Sequence, residues 1–357
     1  PGAAGWSPLH AEVALFFHLN SAAIMGQTAA VSAMLQRLQL VAAAHFPGAA
    51  VSLYGSRAVG LALAGSDVDA VLVAPEASPR PAEALAAIAA DLEGADQAEW
   101  VVAVARVLSA RIPVLKIKTT VGVAMDLTVE AGHHSGVLAC SLVRGLVSEL
   151  PALPPLAIVL KAFLQELGLN DSFTGGVSSY ALVTLLSVFL RAPFLQAQAG
   201  PAAHAAASAG GSPDAAPADP SELGGADPRD HVADLRDAGE VRDLGELLVA
   251  FLKWVRSEYA ARRLDFVLDP LSPGGGPGEN VLHSAYRLSA VANAFGAAAE
   301  ALSAPPAAEE AAAQGSADAP PLPLLARILP MVQVWQAAMP GPRGPAPGWR
   351  AHYAAGG

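Results

Sequence analysis

The stretch "LYGSRAVGLALAGSDVDAVLV", residues 53–73, decides how the first half of the chain is expected to fold. It contains a Gly-Ser pair, Gly55 and Ser56, and then an apolar run that carries Asp67 and Asp69. Because side chains alternate along a β-strand, aspartates two residues apart point to the same face. Adjacent carboxylates on an apolar strand are costly unless a cation neutralises them, and hard oxygen ligands suit Mg²⁺ or Mn²⁺. The stretch therefore predicts a strand with a metal site, and the alternative is an Asp pair at an exposed strand edge.

Two further features extend this candidate site. Gly55 and Ser56 lie in a turn after a β-run, where backbone N–H groups and the serine hydroxyl can bind phosphate oxygens. A third acid, Asp126, lies in a later apolar run that has the composition of a central strand. Its alternative role is a strand-end cap or an ion pair with Lys116 or Lys118. Three carboxylates on adjacent strands beside a phosphate-binding turn indicate two-metal phosphoryl transfer.

Periodicity and composition divide the rest of the chain. Short β-rich runs follow the first helical stretch and give way to helical periodicity, so the predicted class is α+β: a small mixed β-sheet domain plus an α-helical central domain. One internal segment has almost no large apolar residues and predicts disorder. The expected divisions are N-terminal helices packing on the central domain over 1–46, the sheet domain over 47–132, the helical domain over 133–196 and 241–303, the disordered insertion over 197–240, and a linker, short helix and tail over 304–357.

Composition limits the classes of function. The chain of 357 residues has a formal net charge of −11, which argues against strong autonomous binding to nucleic acid, so any RNA contact must be local or supplied by a partner. The single cysteine, Cys140, excludes an internal disulfide and offers no zinc site. The longest strongly apolar run, 180–190, is shorter than the roughly 20 residues that span a bilayer, so no membrane association is expected.

Three blocks of sequence resemble one family. Residues 54–73 resemble the Gly-Ser turn and Asp-x-Asp pattern of the DNA polymerase β-like nucleotidyltransferases. Residues 154–190 are similar to the helical domain of template-independent poly(A) and poly(U) RNA polymerases, with a lysine-bearing helix, a Thr-Gly-Gly turn and a Ser-Tyr helix start. Residues 268–302 resemble the PAP-associated segment of these terminal nucleotidyltransferases. The resemblance covers residues 9–302, and the similar subtype is the poly(A) polymerases of nuclear RNA surveillance.

The resemblance implies a role for each matched residue. Asp67, Asp69 and Asp126 would be catalytic and would bind two ions of Mg²⁺ or Mn²⁺. On the residues alone, Lys161 could instead be a snorkelling surface lysine, and Tyr180 a core aromatic with a satisfied hydroxyl. The residues that would bind the nucleotide are Gly55, Ser56, Lys161, Ser179, Tyr180 and Asn280.

Departures from the family pattern concern substrate choice. Gln165 stands where many relatives carry a second basic residue, one helical turn after Lys161. Leu282 and His283 replace the glycine and arginine of the usual base-recognition loop. Uridylyl-specific relatives tend to have a histidine at the position of Glu279, so this residue favours ATP over UTP.

The implied function is template-independent addition of AMP from ATP to RNA 3′ ends, in RNA surveillance or processing. The alternatives are a terminal uridylyltransferase and a catalytically weak scaffold of the same fold. The implied partners are the RNA 3′ end, ATP, an RNA-binding protein and the RNA exosome. The implied location is the nucleus.

Overall fold

The computed structural model describes residues 6–131, 136–191, 243–264, 280–304 and 324–329, so the predictions for 197–240 and for most of 304–357 lie outside the described residues. The predicted α+β class is confirmed by a mixed sheet and a set of helices. The strands are β1 Ala50–Leu53, β2 Val68–Val73, β3 Val101–Val107, β4 Val114–Thr119 and β5 Ala124–Val129. The α-helices within these ranges are α1 Pro8–His45, α2 Gly55–Ala58, α3 Pro81–Leu92, α4 Gly136–Glu149, α5 Leu153–Glu166, α6 Ser179–Arg191, α7 Leu244–Ala260 and α8 Leu288–Ser303.

The five strands form one sheet in the order β1-β2-β5-β4-β3. Strands β2 and β5 are parallel, and the other neighbouring pairs are antiparallel. In β4 the buried Leu115 and Ile117 alternate with the exposed Lys116 and Lys118. One face of the sheet therefore packs against α3 and the apolar core around it. The opposite face, called the open face below, carries polar side chains.

Helix α1 joins the two parts of the molecule. Its N-terminal half contributes Leu9, Phe16 and other apolar residues to the core of the helical part. Its C-terminal half contributes Leu38, Val41 and others to the core under the sheet. The sequence predicted helices over 1–46 that pack on the central domain, whereas the structure has a single helix of 38 residues that contacts both parts. The helix is about 57 Å long at 1.5 Å per residue, and its buried residues form two groups, one up to Asn20 and one from Val31.

The helical part is built from α4 to α8 around one apolar core. Phe189, Phe251 and Phe295 are fully buried in it, with ring centroids 5.3 Å apart for the first pair and 5.9 Å for the second. Leu61 and its apolar neighbours in the loop between α2 and β2 also belong to this core. The chain thus enters the helical core directly before the strand that carries Asp69. No helix among the described residues is long and apolar enough to cross a membrane.

Hydrogen bonds join the N-terminal ends of α1 and α7. Ser7 caps α1 by accepting from the His10 backbone N–H, and Asp243 caps α7 by accepting from the backbone N–H groups of Gly245 and Glu246. Ser7 also donates its backbone N–H to Asp243 Oδ2 at 2.6 Å and its hydroxyl to Oδ1 at 2.7 Å. Helix α7 follows the predicted insertion, so this double cap anchors the chain where the described residues resume.

Candidate active site

A row of charged residues crosses the open face of the sheet. Asp69 of β2 lies opposite Asp126 of β5 in the parallel register, and Asp126 lies opposite Lys116 of β4 in the antiparallel register. Lys116 donates a hydrogen bond to Asp126 Oδ2 at 2.7 Å. Asp67 immediately precedes β2 and is exposed. The structure thus brings together the three acids that the sequence singled out, together with the lysine that was the alternative partner of Asp126.

The carboxylates repel one another because the protein neutralises them only in part. Burial, followed by the charges of Asp126 and Asp67, raises the pKa of Asp69 to about 6. Partial burial and the charge of Asp126 also raise the pKa of Asp67. Lys116 and Lys161 oppose these shifts without cancelling them. Clustered carboxylates with raised pKa values are typical of a site that binds a cation.

The donor set fits a hard divalent ion, although the side chains are not gathered into a finished site. Within the described residues, no three His, Cys, Asp or Glu side chains converge closely enough to hold a metal ion as they stand. Asp126 is engaged with Lys116 instead. Asp67, Asp69 and Asp126 nevertheless supply only oxygen ligands, which Mg²⁺ and Mn²⁺ prefer.

The Gly-Ser turn packs directly against Asp69. Gly55 has φ +69°, and a Cβ at this position would lie 2.1 Å from Asp69 Oδ2. Glycine is therefore required here by backbone conformation and by space. The Gly55 backbone N–H donates to Cys140 Sγ of α4 at 3.0 Å, and burial raises the pKa of that thiol. The turn is therefore held between β2 of the sheet and α4 of the helical part.

Polar residues of α1 hold the loop that follows the turn. Asn20 is buried and donates to the Ala62 carbonyl at 2.8 Å, while its Oδ1 accepts from the Ala64 backbone N–H at 3.0 Å. Gln27 donates to the Ala64 carbonyl and accepts a hydrogen bond from Arg57 of α2. Helix α1 therefore positions the loop whose end carries Asp67 and Asp69.

Lys161 of α5 is a buried cation that interacts electrostatically with Asp69. Its residue is 7% exposed, and Nζ donates to the Leu61 carbonyl at 2.5 Å. Burial lowers its pKa to about 8, although the charge of Asp69 acts in the opposite direction. No carboxylate lies within ion-pair distance of Nζ in the part of the chain that the structure describes. A lysine in this state favours an anionic ligand. The burial excludes the snorkelling alternative.

A pocket joins this lysine to the Gly-Ser turn. Its lining residues come from the Gly-Ser turn, the loop before β2, helices α5 and α6, and the segment that connects these two helices. The polar residues among them are Ser56, Ser66, Lys161, Gln165, Asn170 and Ser179. Gln165, the departure from the family pattern, thus lines the same pocket as Lys161. The arrangement provides one cation and several hydroxyl or amide groups for a phosphorylated ligand.

Three residues expected to bind the nucleotide do not line this pocket: Gly55, Tyr180 and Asn280. Tyr180 is partly buried and packs against the helical core. Asn280 uses its side chain on the backbone: Nδ2 donates to the Leu264 carbonyl at 3.3 Å, and Oδ1 accepts from the Leu282 N–H at 2.8 Å. Leu282 is buried in the core, and it has no positive φ, so the replacement of glycine is accommodated in an ordinary turn. His283 is exposed beside this turn.

Sequence reasoning missed several residues that position the site. Asn20 carried a signal that could have been used, because it is a polar residue on the buried side of an otherwise apolar helix. Cys140 was considered only as a disulfide or zinc residue. Tyr54 lies beneath the acids: burial raises its pKa to about 12, and the hydroxyl accepts a hydrogen bond from Thr128 at 3.4 Å. Nothing in the local sequence distinguishes Tyr54 from a core aromatic.

A family model matches the part of the chain that contains the candidate site. Residues 22–144 match the family described as "Poly(A) RNA polymerase, mitochondrial-like, central palm domain". The match includes the C-terminal half of α1, the whole sheet, the Gly-Ser turn and the three acids. The resemblance to the poly(A) RNA polymerases is confirmed.

Several curated proteins similar to this chain are named as poly(A) RNA polymerases. The chain is 29% identical over 159 residues to the poly(A) RNA polymerase cid14 of Schizosaccharomyces pombe, covering 44% of this chain and 23% of that protein. It is 33% identical over 141 residues to gld-4 of Caenorhabditis elegans, covering 40% and 16%. It is also 33% identical over 159 residues to Trf4-2 of Drosophila melanogaster, covering 44% and 38%, and the name of that relative describes it as inactive. The chain spans between 16% and 38% of the length of these relatives.

Solved structures share the fold. The polymerase core of TRAMP, described as an RNA surveillance complex, matches with a TM-score of 0.58 and 19% identity over 85% of this chain and 88% of that chain. A mitochondrial poly(A) polymerase, mtPAP, in complex with ATPγS matches with a TM-score of 0.58 and 17% identity over 90% and 72%. At these identities the matches show that the chain shares the fold of these two structures.

Proposed function

We propose that this chain is a template-independent nucleotidyltransferase that adds AMP from ATP to RNA 3′ ends in a reaction supported by Mg²⁺ or Mn²⁺. The observation that carries the proposal is the contact of the Gly-Ser turn with Asp69. Support comes from the position of this turn, which contacts Asp69, the register partner of Asp126, and contributes Ser56 to the pocket of Lys161. Phosphoryl transfer needs these groups together, because catalysis consists mainly of positioning and charge stabilisation.

The described residues divide the work of nucleotide binding. Lys161 uses one of its N–H donors on Leu61, which leaves two for triphosphate oxygens. The hydroxyl groups of Ser56 and Ser179 line the same pocket and add further hydrogen bonds. The buried position of the lysine strengthens its attraction to phosphate, because water screens the interaction less. We propose that the triphosphate lies between the turn and α5.

Asp67, Asp69 and Asp126 would hold the metal ions. Two bound ions would stabilise the attacking and leaving oxygens of an in-line displacement. Asp126 would also help to draw the proton from the RNA 3′-hydroxyl. The bond from the 3′-oxygen to the α-phosphorus then forms, the bond to the β-phosphate oxygen breaks, and pyrophosphate leaves. Lys116 would hold Asp126 on the open face before a metal ion binds.

The decisive experiment is tail addition by the 357-residue chain to a short labelled RNA, with each NTP and Mg²⁺ supplied separately. We expect a ladder with ATP, and we expect Asp67→Ala/Asp69→Ala to reduce it more than about a hundredfold. Asp96→Ala, which removes an exposed acid from a short 3₁₀ turn outside the site, is the matched control. A preference for UTP would replace adenylyl with uridylyl transfer, and no product with any NTP would indicate a scaffold.

The cellular setting is part of the proposal. The sequence blocks resemble the surveillance subtype, and the formal charge of −11 disfavours unaided binding to long RNA. We therefore propose a nuclear protein that acts with an RNA-binding partner and the exosome. Purification of the tagged chain from nuclear and cytoplasmic fractions, followed by identification of bound proteins, tests this setting. Recovery from the cytoplasm without RNA-binding proteins would contradict it.

A further inference from the structure

The open face of the sheet separates its charges into two strips. The acids lie on β5 and at the start of β2, and Lys116 and Lys118 lie on the neighbouring β4; these two lysines are called the basic strip below. Both are exposed and alternate with the buried Leu115 and Ile117, so they project from the same face as Asp126. The basic strip therefore borders the proposed active site on the side away from β1.

The neighbours of the basic strip leave its charges accessible. Lys116 lies opposite Ala105 of β3, and Lys118 lies between Ala103 of β3 and Ala124 of β5. Alanine side chains are too short to cover the ammonium groups. Lys116 pairs with Asp126, whereas Lys118 makes no ion pair within the described ranges. In a chain with four lysines and a net charge of −11, half of the lysines lie on this one strip.

We propose that the basic strip binds the phosphate backbone of the RNA strand that enters the active site. The inference rests on the proposed function and names the surface that recognises its second substrate. Residues two apart on a strand are about 7 Å apart, which is comparable with one nucleotide of an extended single strand. A lysine ammonium group interacts with the charge of a phosphate and does not distinguish one base from another. The strip therefore positions RNA of any sequence.

The strip is distinct from the nucleotide pocket. The pocket is lined by Ser56, Lys161 and Ser179, and none of its residues comes from β3 or β4. A lysine of the strip that bound the triphosphate would affect the KM for ATP, whereas a lysine that binds RNA affects the Kd and KM for RNA. The two phosphate sources can therefore be separated by experiment.

The test measures binding of a fluorescent single-stranded RNA to the full chain by anisotropy at several salt concentrations. We expect Lys118→Ala to weaken binding about three- to tenfold and to reduce the slope of log Kd against log salt by about 0.7. Lys253→Ala, which removes the same charge from an exposed position of α7, is the matched control and should leave binding unchanged. Lys118→Arg should restore most of the affinity. The KM for ATP should not change in any of the three variants.

Four results would overturn the inference: no loss of RNA affinity in Lys118→Ala, an equal loss in Lys253→Ala, a change confined to the KM for ATP, or no RNA binding by the wild-type chain even at low salt. If the wild-type chain bound RNA through Lys118 but added no nucleotide, the proposed function would fail and the inference would stand. Lys116→Ala is less informative because Lys116 contacts Asp126, so its loss should also lower kcat.

Discussion

The open face of the sheet, called the sheet wall below, and the part of the pocket formed by α5 and α6, called the helical wall, carry opposite charges in different surroundings. The sheet wall holds Asp67 and Asp126 within reach of solvent, and Lys116 offsets part of their charge. The helical wall holds Lys161, which is buried and has a lowered pKa. Water can stabilise the charges of the sheet wall before a ligand binds, but the charge of Lys161 depends on a carbonyl and on the distant Asp69. The charge of the helical wall should therefore be stabilised more by substrate binding than the charges of the sheet wall.

The largest effect is expected where the two walls meet. Gly55→Ala would place a methyl group 2.1 Å from Asp69 Oδ2, so Asp69 must move. A displacement of about 1 Å in a catalytic group can cost roughly a hundredfold in rate, and we expect a loss of at least that size. The measurement is the rate of nucleotide addition, with thermal unfolding as a check on the fold.

Gly60→Ala is the control for backbone strain. Gly60 has φ +74°, close to that of Gly55, but a Cβ at this position would meet no atom within 4 Å. Both variants should lose about 1 kcal/mol of stability from the left-handed conformation, and only Gly55→Ala should lose activity. Similar rates of nucleotide addition in the two variants would contradict a role for Asp69 in catalysis.

The helical wall should respond to Lys161→Met in two opposite ways. The loss of a charge-assisted contact with the triphosphate should raise the KM for ATP about 10- to 100-fold. Removal of a buried cation that lacks a carboxylate partner should raise the free energy of unfolding by about 1 kcal/mol at neutral pH. Gln165→Met, in the same pocket, is the uncharged control. A variant that lost ATP affinity and stability together would show that Lys161 is structural.

The pH dependence should separate binding from stability in the wild-type chain. Lys161 has a folded pKa of about 8 and an unfolded value of about 10.5, so between these values the unfolded state binds the extra proton. Its contribution to stability should therefore rise with pH over that window, while the affinity for ATP falls several-fold as the ammonium is lost. Asp69 is the charged group that acts on Lys161. Binding titrations from pH 7 to 9.5 check this, and Lys161→Met should show no break near pH 8.

The two walls also differ in how far the sequence could predict them. The short β-rich runs and the two-residue spacing of Asp67 and Asp69 were sufficient to predict a mixed sheet with two acids on one face. Lys161 could be assigned to triphosphate only through resemblance, because the local pattern of α5 does not distinguish a buried lysine from a snorkelling one. Asn280 accepts a local hydrogen bond from the Leu282 N–H, and it also donates to the Leu264 carbonyl, a contact that no local pattern encodes. The pairing of Asp126 with Lys116 needed the strand register.

The smallest effect on chemistry should come from the double cap at Ser7 and Asp243, which lies outside both walls. Burial alone would raise the pKa of Asp243, but hydrogen bonds from Ser7, Glu246 and Gly245 lower it below its usual value. Asp243→Ala removes a helix cap and both bonds to Ser7, so we expect a loss of about 2 kcal/mol of stability, measured by urea unfolding.

The sign of the pH dependence identifies the cause of that loss. Because the folded pKa of Asp243 is lowered, its contribution is complete at neutral pH and is lost as pH falls through the folded pKa, below about 4. The difference between wild type and Asp243→Ala should therefore narrow in acid, whereas Asp96→Ala should match wild type throughout. Nucleotide addition per folded molecule should be unchanged in both variants. A lowered kcat in Asp243→Ala would mean that the junction of α1 and α7 sets the distance between the two walls.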